Sequence, residues 1–205
     1  MKIFITGTDT NVGKTLLCSW LCLHAQMDYW KPIQTGSHDG TDAHFVHQLT
    51  GTRIHPEAYL LREPLSPHAA AAIEQVQIEP GLIQAPQVSR LIVEGAGGVL
   101  VPIVKDFFMM DLIHQLSLPV ILVARSTLGT INHTCLTLEA LRKRGVKILG
   151  VMLNGPLNAG NRKAIEDYGK VNVLMEFPQL KKITRDALAS IPLTGELRLV
   201  LNAGA

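Results

Sequence analysis

Apolar residues fall in short runs along the chain, separated by polar, glycine-bearing connections. Ile3-Phe4-Ile5, Leu91-Ile92-Val93 and Val120-Ile121-Leu122-Val123-Ala124 are continuous, the pattern of strands buried on both faces. Shorter strands are expected near Asp28-Tyr29-Trp30-Lys31, at Ala58 to Leu61, at Lys147 to Leu153 and at Asn172 to Glu176. Between them the spacing predicts helices: from Leu16 to Leu21, over Ala43 to Leu49 with Gly51 as C-cap, and over Ala69 to Gln75 after the break Pro64-Leu65-Ser66-Pro67. Asp111 to Leu116, Arg162 to Tyr168 and Gly195 to Asn202 also read as helices. Ile131 to Arg144 is the clearest, with an expected apolar stripe of Ile131, Cys135, Leu138 and Leu141 and a basic last turn ended by Gly145. Gln34 to Asp42 reads as a polar loop, and Glu94-Gly95-Ala96-Gly97-Gly98 as a glycine-rich loop at a strand's end.

Strictly alternating β and α segments imply a mostly parallel central sheet with helices on both faces, an α/β three-layer fold spanning residues 1–205 as one domain. Ligands of such sheets bind beyond the carboxyl ends of the strands. Lys14, Lys31, Glu94, Arg125 and Asn154 all fall at or just after expected strand ends.

The first connection is chemically the most specific. Gly7-Thr8-Asp9-Thr10-Asn11-Val12-Gly13-Lys14-Thr15 joins the first strand to the first helix, the context of a phosphate-binding loop. Loop amides and the helix N-terminus would face a phosphate, Lys14 would reach its outer oxygens, and the Thr15 hydroxyl could ligate Mg²⁺. The first glycine, Gly7, stands one place early, with Thr8 where the strict pattern has glycine.

Glu94 closes a buried strand, where a carboxylate either reaches that Mg²⁺ or is simply solvated. Asp42 precedes a helix and could be its N-cap or a further ligand. Lys31, followed by Pro32, is either a surface lysine or a second cation for the phosphates. His38, His44 and His47, near Asp39 and Asp42, suggest a polar helix face more than a zinc site. Ser37, Ser66 and His68 lack a nucleophile elbow, which argues against serine hydrolysis.

Composition narrows the field further. The 205 residues are 47% hydrophobic and 18% charged, as in a globular chain. A net charge of +2 is too small to argue for nucleic acid or an acidic membrane. The apolar runs are too short to span a bilayer, and Met1-Lys2 leading into the first strand leaves no room for a signal peptide. Cys18, Cys22 and Cys135 show no metal spacing and fit small core residues of a cytoplasmic protein.

Taken together, Gly7-Thr8-Asp9-Thr10, Val12-Gly13-Lys14-Thr15, Lys31-Pro32, Thr35-Gly36, Thr41-Asp42-Ala43, Ser66-Pro67-His68, Glu94-Gly95-Ala96-Gly97-Gly98 and Leu128-Gly129 with Ile131-Asn132-His133 resemble the dethiobiotin synthetase family, from the N-terminus to about Asn154. A weaker echo follows at Phe177-Pro178-Gln179-Leu180. The resemblance implies a homodimeric ligase of biotin synthesis that takes 7,8-diaminopelargonate, CO₂ and Mg-ATP to dethiobiotin. It passes through a substrate carbamate and a carbamic–phosphoric anhydride. It implies Thr15, Asp42 and Glu94 as Mg²⁺ ligands and Lys14 and Lys31 as the catalytic lysines. Asn11, Val12, Gly13, Lys14, Thr15, Leu16, Gly95, Ala96 and Gly97 would surround the phosphates. Thr35 would contact substrate, and Gly129, Ile131 and Asn132 would receive its carboxylate across the dimer interface. Asn154 would read the adenine edge, with Pro178, Gln179 and Leu180 lining the base.

Two departures stand out: Asn11 replaces an acidic residue of the best-known form, and Gly155 follows Asn154 where an acid can occur. The competing readings are a nucleotide-switch ATPase and the amide-forming ligase of cobalamin synthesis. The first carries an extra loop lysine where this chain has Asp9, and the second a glutaminase domain for which little length remains.

Overall fold

The computed structural model describes residues 1–202. The chain opens with β1 (Lys2–Gly7), α1 (Lys14–Ala25), β2 (Asp28–Trp30), β3 (Ile33–Gln34), α2 (Asp42–Thr50), β4 (Ile54–His55), β5 (Tyr59–Leu60) and α3 (Pro67–Glu74). It continues with β6 (Leu91–Gly98), β7 (Pro102–Val104), β8 (Phe107–Phe108), α4 (Met109–Leu116), β9 (Val120–Arg125) and α5 (Thr130–Lys143). β10 (Ile148–Asn154), α6 (Ala159–Gly169), β11 (Val173–Phe177), α7 (Arg185–Ala189) and α8 (Gly195–Asn202) complete it.

Seven strands form one sheet in the order β11-β10-β9-β1-β6-β2-β4, every pair parallel. β1 lies in the middle, between β6 and β9, because Ile3, Phe4 and Ile5 bury their side chains on both faces. Ile3 and Ile5 join a core with Leu17 and Trp20 of α1, Val46 of α2, Leu188 of α7 and Leu197 of α8. Phe4 points the other way, to Ala70 of α3, Leu112 of α4 and Leu141 of α5. Leu138 of α5 and Ile165 of α6 cover β9 to β11 on that second side. Helices on both faces of a parallel sheet are what the alternating pattern predicted.

Three local expectations need correction. Glu94 to Gly98 is not a loop: β6 runs through it, pairing Gly98 with Gly7 after an irregularity. A side chain at Gly95 would collide with Phe4 of β1, so glycine there serves close strand packing, whereas Gly97, at φ 66°, needs glycine for its left-handed backbone and its contact with Val101. In α5 the buried face begins with Thr130, Thr134 and Thr137, and only then continues with Leu138 and Leu141. Ile131 is exposed and Cys135 half-buried, because the helix is rotated to set its threonines on the sheet. Nor is Gln34 to Asp42 all loop: Gln34 belongs to β3, and Ser37–Asp39 forms a 3₁₀ turn. The short elements β3, β4, β7, β8 and α7 carry no periodic pattern to predict them; between Pro80 and Val88 only a single 3₁₀ turn, Pro80–Leu82, forms.

Among the described residues no helix is long and apolar enough to cross a membrane.

Candidate active site

The strand order reverses at β1, and the loop that follows it lies in the resulting crevice. Gly7 is forced by that loop. A Cβ there would lie 2.8 Å from both the Asp9 carbonyl and Val12 Cγ2, and 3.1 Å from Lys14 Nζ. The early glycine is thus a requirement of close approach, while Thr8 is held in the sheet by its N–H on the Val123 carbonyl at 2.9 Å. Asn11 takes φ 57°, a conformation its short amide tolerates better than most side chains. Gly13, at φ 100°, caps α1 without a side-chain bond, and no acidic residue sits in the helix's first turn. The first N–H groups of α1 are therefore left for an anion.

Thr15, Asp42 and Glu94, expected from distant parts of the chain, meet around Lys31. The Thr15 hydroxyl donates to Glu94 Oε1 at 2.7 Å, and Tyr29 donates to Oε2 at 2.9 Å. Lys31 Nζ lies 3.7 Å from Glu94 Oε1 and makes a direct ion pair with Asp42. Asp42 is not the N-cap of α2. That cap is Thr41, whose Oγ1 accepts from His44 N–H at 3.1 Å, so the Asp42 carboxylate one position on is left to face Lys31. His44 and His47 lie on the exposed side of α2, and His38 on a neighbouring turn.

The two lysines are tuned differently. Lys14 donates to the Asp9 carbonyl at 3.0 Å, and burial lowers its pKa despite the Glu94 carboxylate. Burial also lowers that of Lys31, but Glu94 and the contacting Asp42 more than offset it, so Lys31 is held charged above its ordinary range. Burial, then Glu94, keeps the Tyr29 phenol protonated well beyond its usual range, a fixed donor.

A cleft of about 860 Å³ opens over these groups. Thr10, Asn11, Gly13, Lys14, Thr15 and Leu16 form one wall, and Ala96 and Gly97 another. Gln34, Thr35 and Gly36 face them, with Pro64 to Pro67 at the rim. Val12 is buried beneath the loop and Gly95 lies within β6. Asn154 ends β10 beside the loop and donates from Nδ2 to the Val12 carbonyl at 3.0 Å. It pairs in register with Phe177, so Pro178, Gln179 and Leu180 leave the sheet next to it. Gly129, Ile131 and Asn132 are exposed at the start of α5 and do not line this cleft.

The donor set of two carboxylates and a hydroxyl is all oxygen and incomplete alone, which fits Mg²⁺ shared with a nucleotide's phosphates and water.

Tyr29 and Gln34 were not singled out by sequence: Tyr29 reads as an ordinary strand residue, and Gln34 falls in a stretch that reads as loop. Arg125 pairs with Asp9 of the loop at 2.8 Å, both side chains about half exposed.

The protein-family profile described as "AAA domain" matches residues 1–187. The ATP-dependent dethiobiotin synthetase BioD of Lawsonia intracellularis is 54% identical over 198 residues, covering 97% of this chain and 98% of that protein. The BioD of Paramagnetospirillum magneticum is 52% identical over 192 residues, covering 93% and 94%. A crystal structure of a ParA family ATPase from Chlorobium tepidum has a TM-score of 0.56 at 11% identity, covering 98% of this chain and 96% of that one, a likeness of fold. The switch-ATPase reading thus shares the fold, while near-full-length identity above one half sits with the synthetases. The chain belongs to the ATP-dependent dethiobiotin synthetase family.

Proposed function

We propose that the protein serves biotin biosynthesis by closing the cyclic urea of dethiobiotin from 7,8-diaminopelargonate, CO₂ and Mg-ATP. One amine of the substrate adds to CO₂ and loses a proton, giving a carbamate. A carbamate oxygen attacks the γ-phosphorus and ADP leaves. The second amine then attacks the carbon of the mixed anhydride and loses a proton, phosphate departs with the C–O electron pair, and the ring closes. The observation that carries this reading is the meeting of Lys14, Lys31, Thr15, Asp42 and Glu94 at one cleft beside a phosphate loop.

In this scheme Thr15, Asp42 and Glu94 would hold Mg²⁺, which would supply charge neutralisation for the phosphates. Lys14 reaches the outer phosphates by exchanging the Asp9 carbonyl for a phosphoryl oxygen. Lys31, held charged, faces the carbamate and the transferred group. The loop from Asn11 to Leu16, with Gly95, Ala96 and Gly97 opposite, encloses the phosphates, and Thr35 contacts the diamine. Asn154 and the segment Pro178 to Leu180 take the adenine. Gly129, Ile131 and Asn132 receive the substrate carboxylate in the site of a second copy. The support for that homodimer is that Leu128 and Ile131 expose apolar surface at a helix N-terminus away from the cleft. The free thiols Cys18, Cys22 and Cys135 suit a reducing cytoplasm.

Purified protein given the diamine, bicarbonate and Mg-ATP should release ADP and dethiobiotin in equal amounts by mass spectrometry. ATP hydrolysis indifferent to the diamine, with no dethiobiotin formed, would overturn the assignment.

A further inference from the structure

Gln34 is the buried polar side chain of the cleft to which the proposed reaction gives no task. Its backbone is rigidly mounted. β3 pairs in parallel with β5, Leu61 N–H donates to the Gln34 carbonyl at 2.8 Å, and Ala58 and Tyr59 N–H both donate to the Pro32 carbonyl. Its side chain is only 5% exposed. Oε1 accepts the Asp42 backbone N–H at 3.0 Å, and Nε2 donates to the Thr35 carbonyl at 2.7 Å. The partners fix the orientation of the amide, since one can only donate and the other only accept.

We infer that Gln34 is a positioning residue that couples two halves of the site, setting Asp42 at the metal position and Thr35 at the diamine position. This rests on the proposed reaction. The first N–H groups of a helix have no partner inside it. By taking that of Asp42, Gln34 fixes where α2 begins, and so where the Asp42 carboxylate meets Lys31. Its other bond draws the Thr35 peptide towards the same point. A single planar amide thereby holds one distance between a metal ligand and a substrate contact that lie on different segments. Thr41 alone caps the helix but has no bond to Thr35.

The test uses Gln34→Met, of similar length without either bond, and Gln34→Glu, which keeps an acceptor for Asp42 but no donor for Thr35. In Gln34→Met, the KM for the diamine and the Mg²⁺ concentration for half-activation should both rise, by about tenfold and up to about a hundredfold, the cost of a misplaced group. ADP binding without Mg²⁺ should be unchanged, because the phosphate loop is untouched, whereas Mg-ADP should bind more weakly. The Asp42 amide should exchange with solvent faster in Gln34→Met than in the parent. Gln34→Glu should keep Asp42 protected while still raising the diamine KM, separating the two bonds. Unchanged Asp42 exchange together with unchanged Mg-ADP affinity in Gln34→Met would overturn the inference, whatever reaction the protein performs. A lower melting temperature with parental KM and Mg²⁺ curves would also overturn it, leaving Gln34 a packing residue. Absence of dethiobiotin from the unaltered protein would instead strike the reaction, and the exchange and Mg-ADP measurements would still decide the Asp42 half.

Discussion

Gly13 combines a left-handed backbone with close contact to a neighbouring strand. At φ 100° an added Cβ would overlap the Asn154 amide. Gly13→Ala should therefore lose about 1–2 kcal/mol to backbone strain alone, and more to the clash. The expected result is a lower melting temperature and weak ADP binding by calorimetry. Asn154→Ala in the same chain should recover part of the stability, because it removes the clash and leaves the strain. The lysines give a second prediction at this scale. Lys14 titrates below the ordinary 10.5 and Lys31 above it. The stability from the ion pairs of Lys31 is complete below 10.5 and is lost only as pH rises through its higher folded value. The cost of burying charged Lys14 is present below its folded pKa and is relieved between that value and 10.5. The alkaline fall of kcat/KM for ATP should thus begin below 10.5, with Lys14, while the fold persists. Parallel rate and circular-dichroism titrations would check it; simultaneous loss of both would count against the separate tuning.

At the scale of elements, α2 shows why cap and ligand must be told apart. Thr41 takes the capping bond, so Asp42→Asn should lower the melting temperature through the lost ion pair with buried Lys31 and not through a lost cap, while raising the Mg²⁺ needed for activity. An unchanged Mg²⁺ titration would return Asp42 to a structural role. On α1, Trp20 lies edge-on to Phe177 at 5.4 Å and donates from its indole to the Ile191 carbonyl at 2.8 Å. Trp20→Ala should destabilise by about 3–5 kcal/mol, read by denaturant unfolding. These contacts also explain what sequence could disclose. The phosphate loop was legible because its demands are local: a strand, a glycine-bearing turn, Lys14 and Thr15 in order. Glu94 was legible as an acid closing an apolar run, whereas Lys31 reads equally as a surface lysine, because its burial depends on Asp42 and Glu94 from distant parts of the chain. Whether Asp42 capped α2 was not, because Thr41 offers equal chemistry one residue away and the choice depends on Lys31. The course of β6 through Gly98 was not legible either, since glycine signals a turn unless a neighbouring strand, here β1, presses against it. Gln34 was hidden because its partners, Thr35 and Asp42, are brought together by a turn and not by spacing.

For the whole molecule, the central place of β1 has a consequence for synthesis. β1 is synthesised before both of its neighbours, β6 and β9, whose last residues are Gly98 and Arg125. Its apolar Ile3, Phe4 and Ile5 stay uncovered until the second neighbour arrives, roughly 6–24 s later at usual translation rates. The phosphate loop hanging from β1 cannot take its bound shape before then. A nascent chain halted after α4 should be protease-sensitive throughout and unable to retain ATP, whereas one extended through α8 should protect β1 and its loop. The cell must therefore shelter β1 until β9 has been made, and a pause in translation before β9 would expose aggregation-prone surface rather than an idle tail.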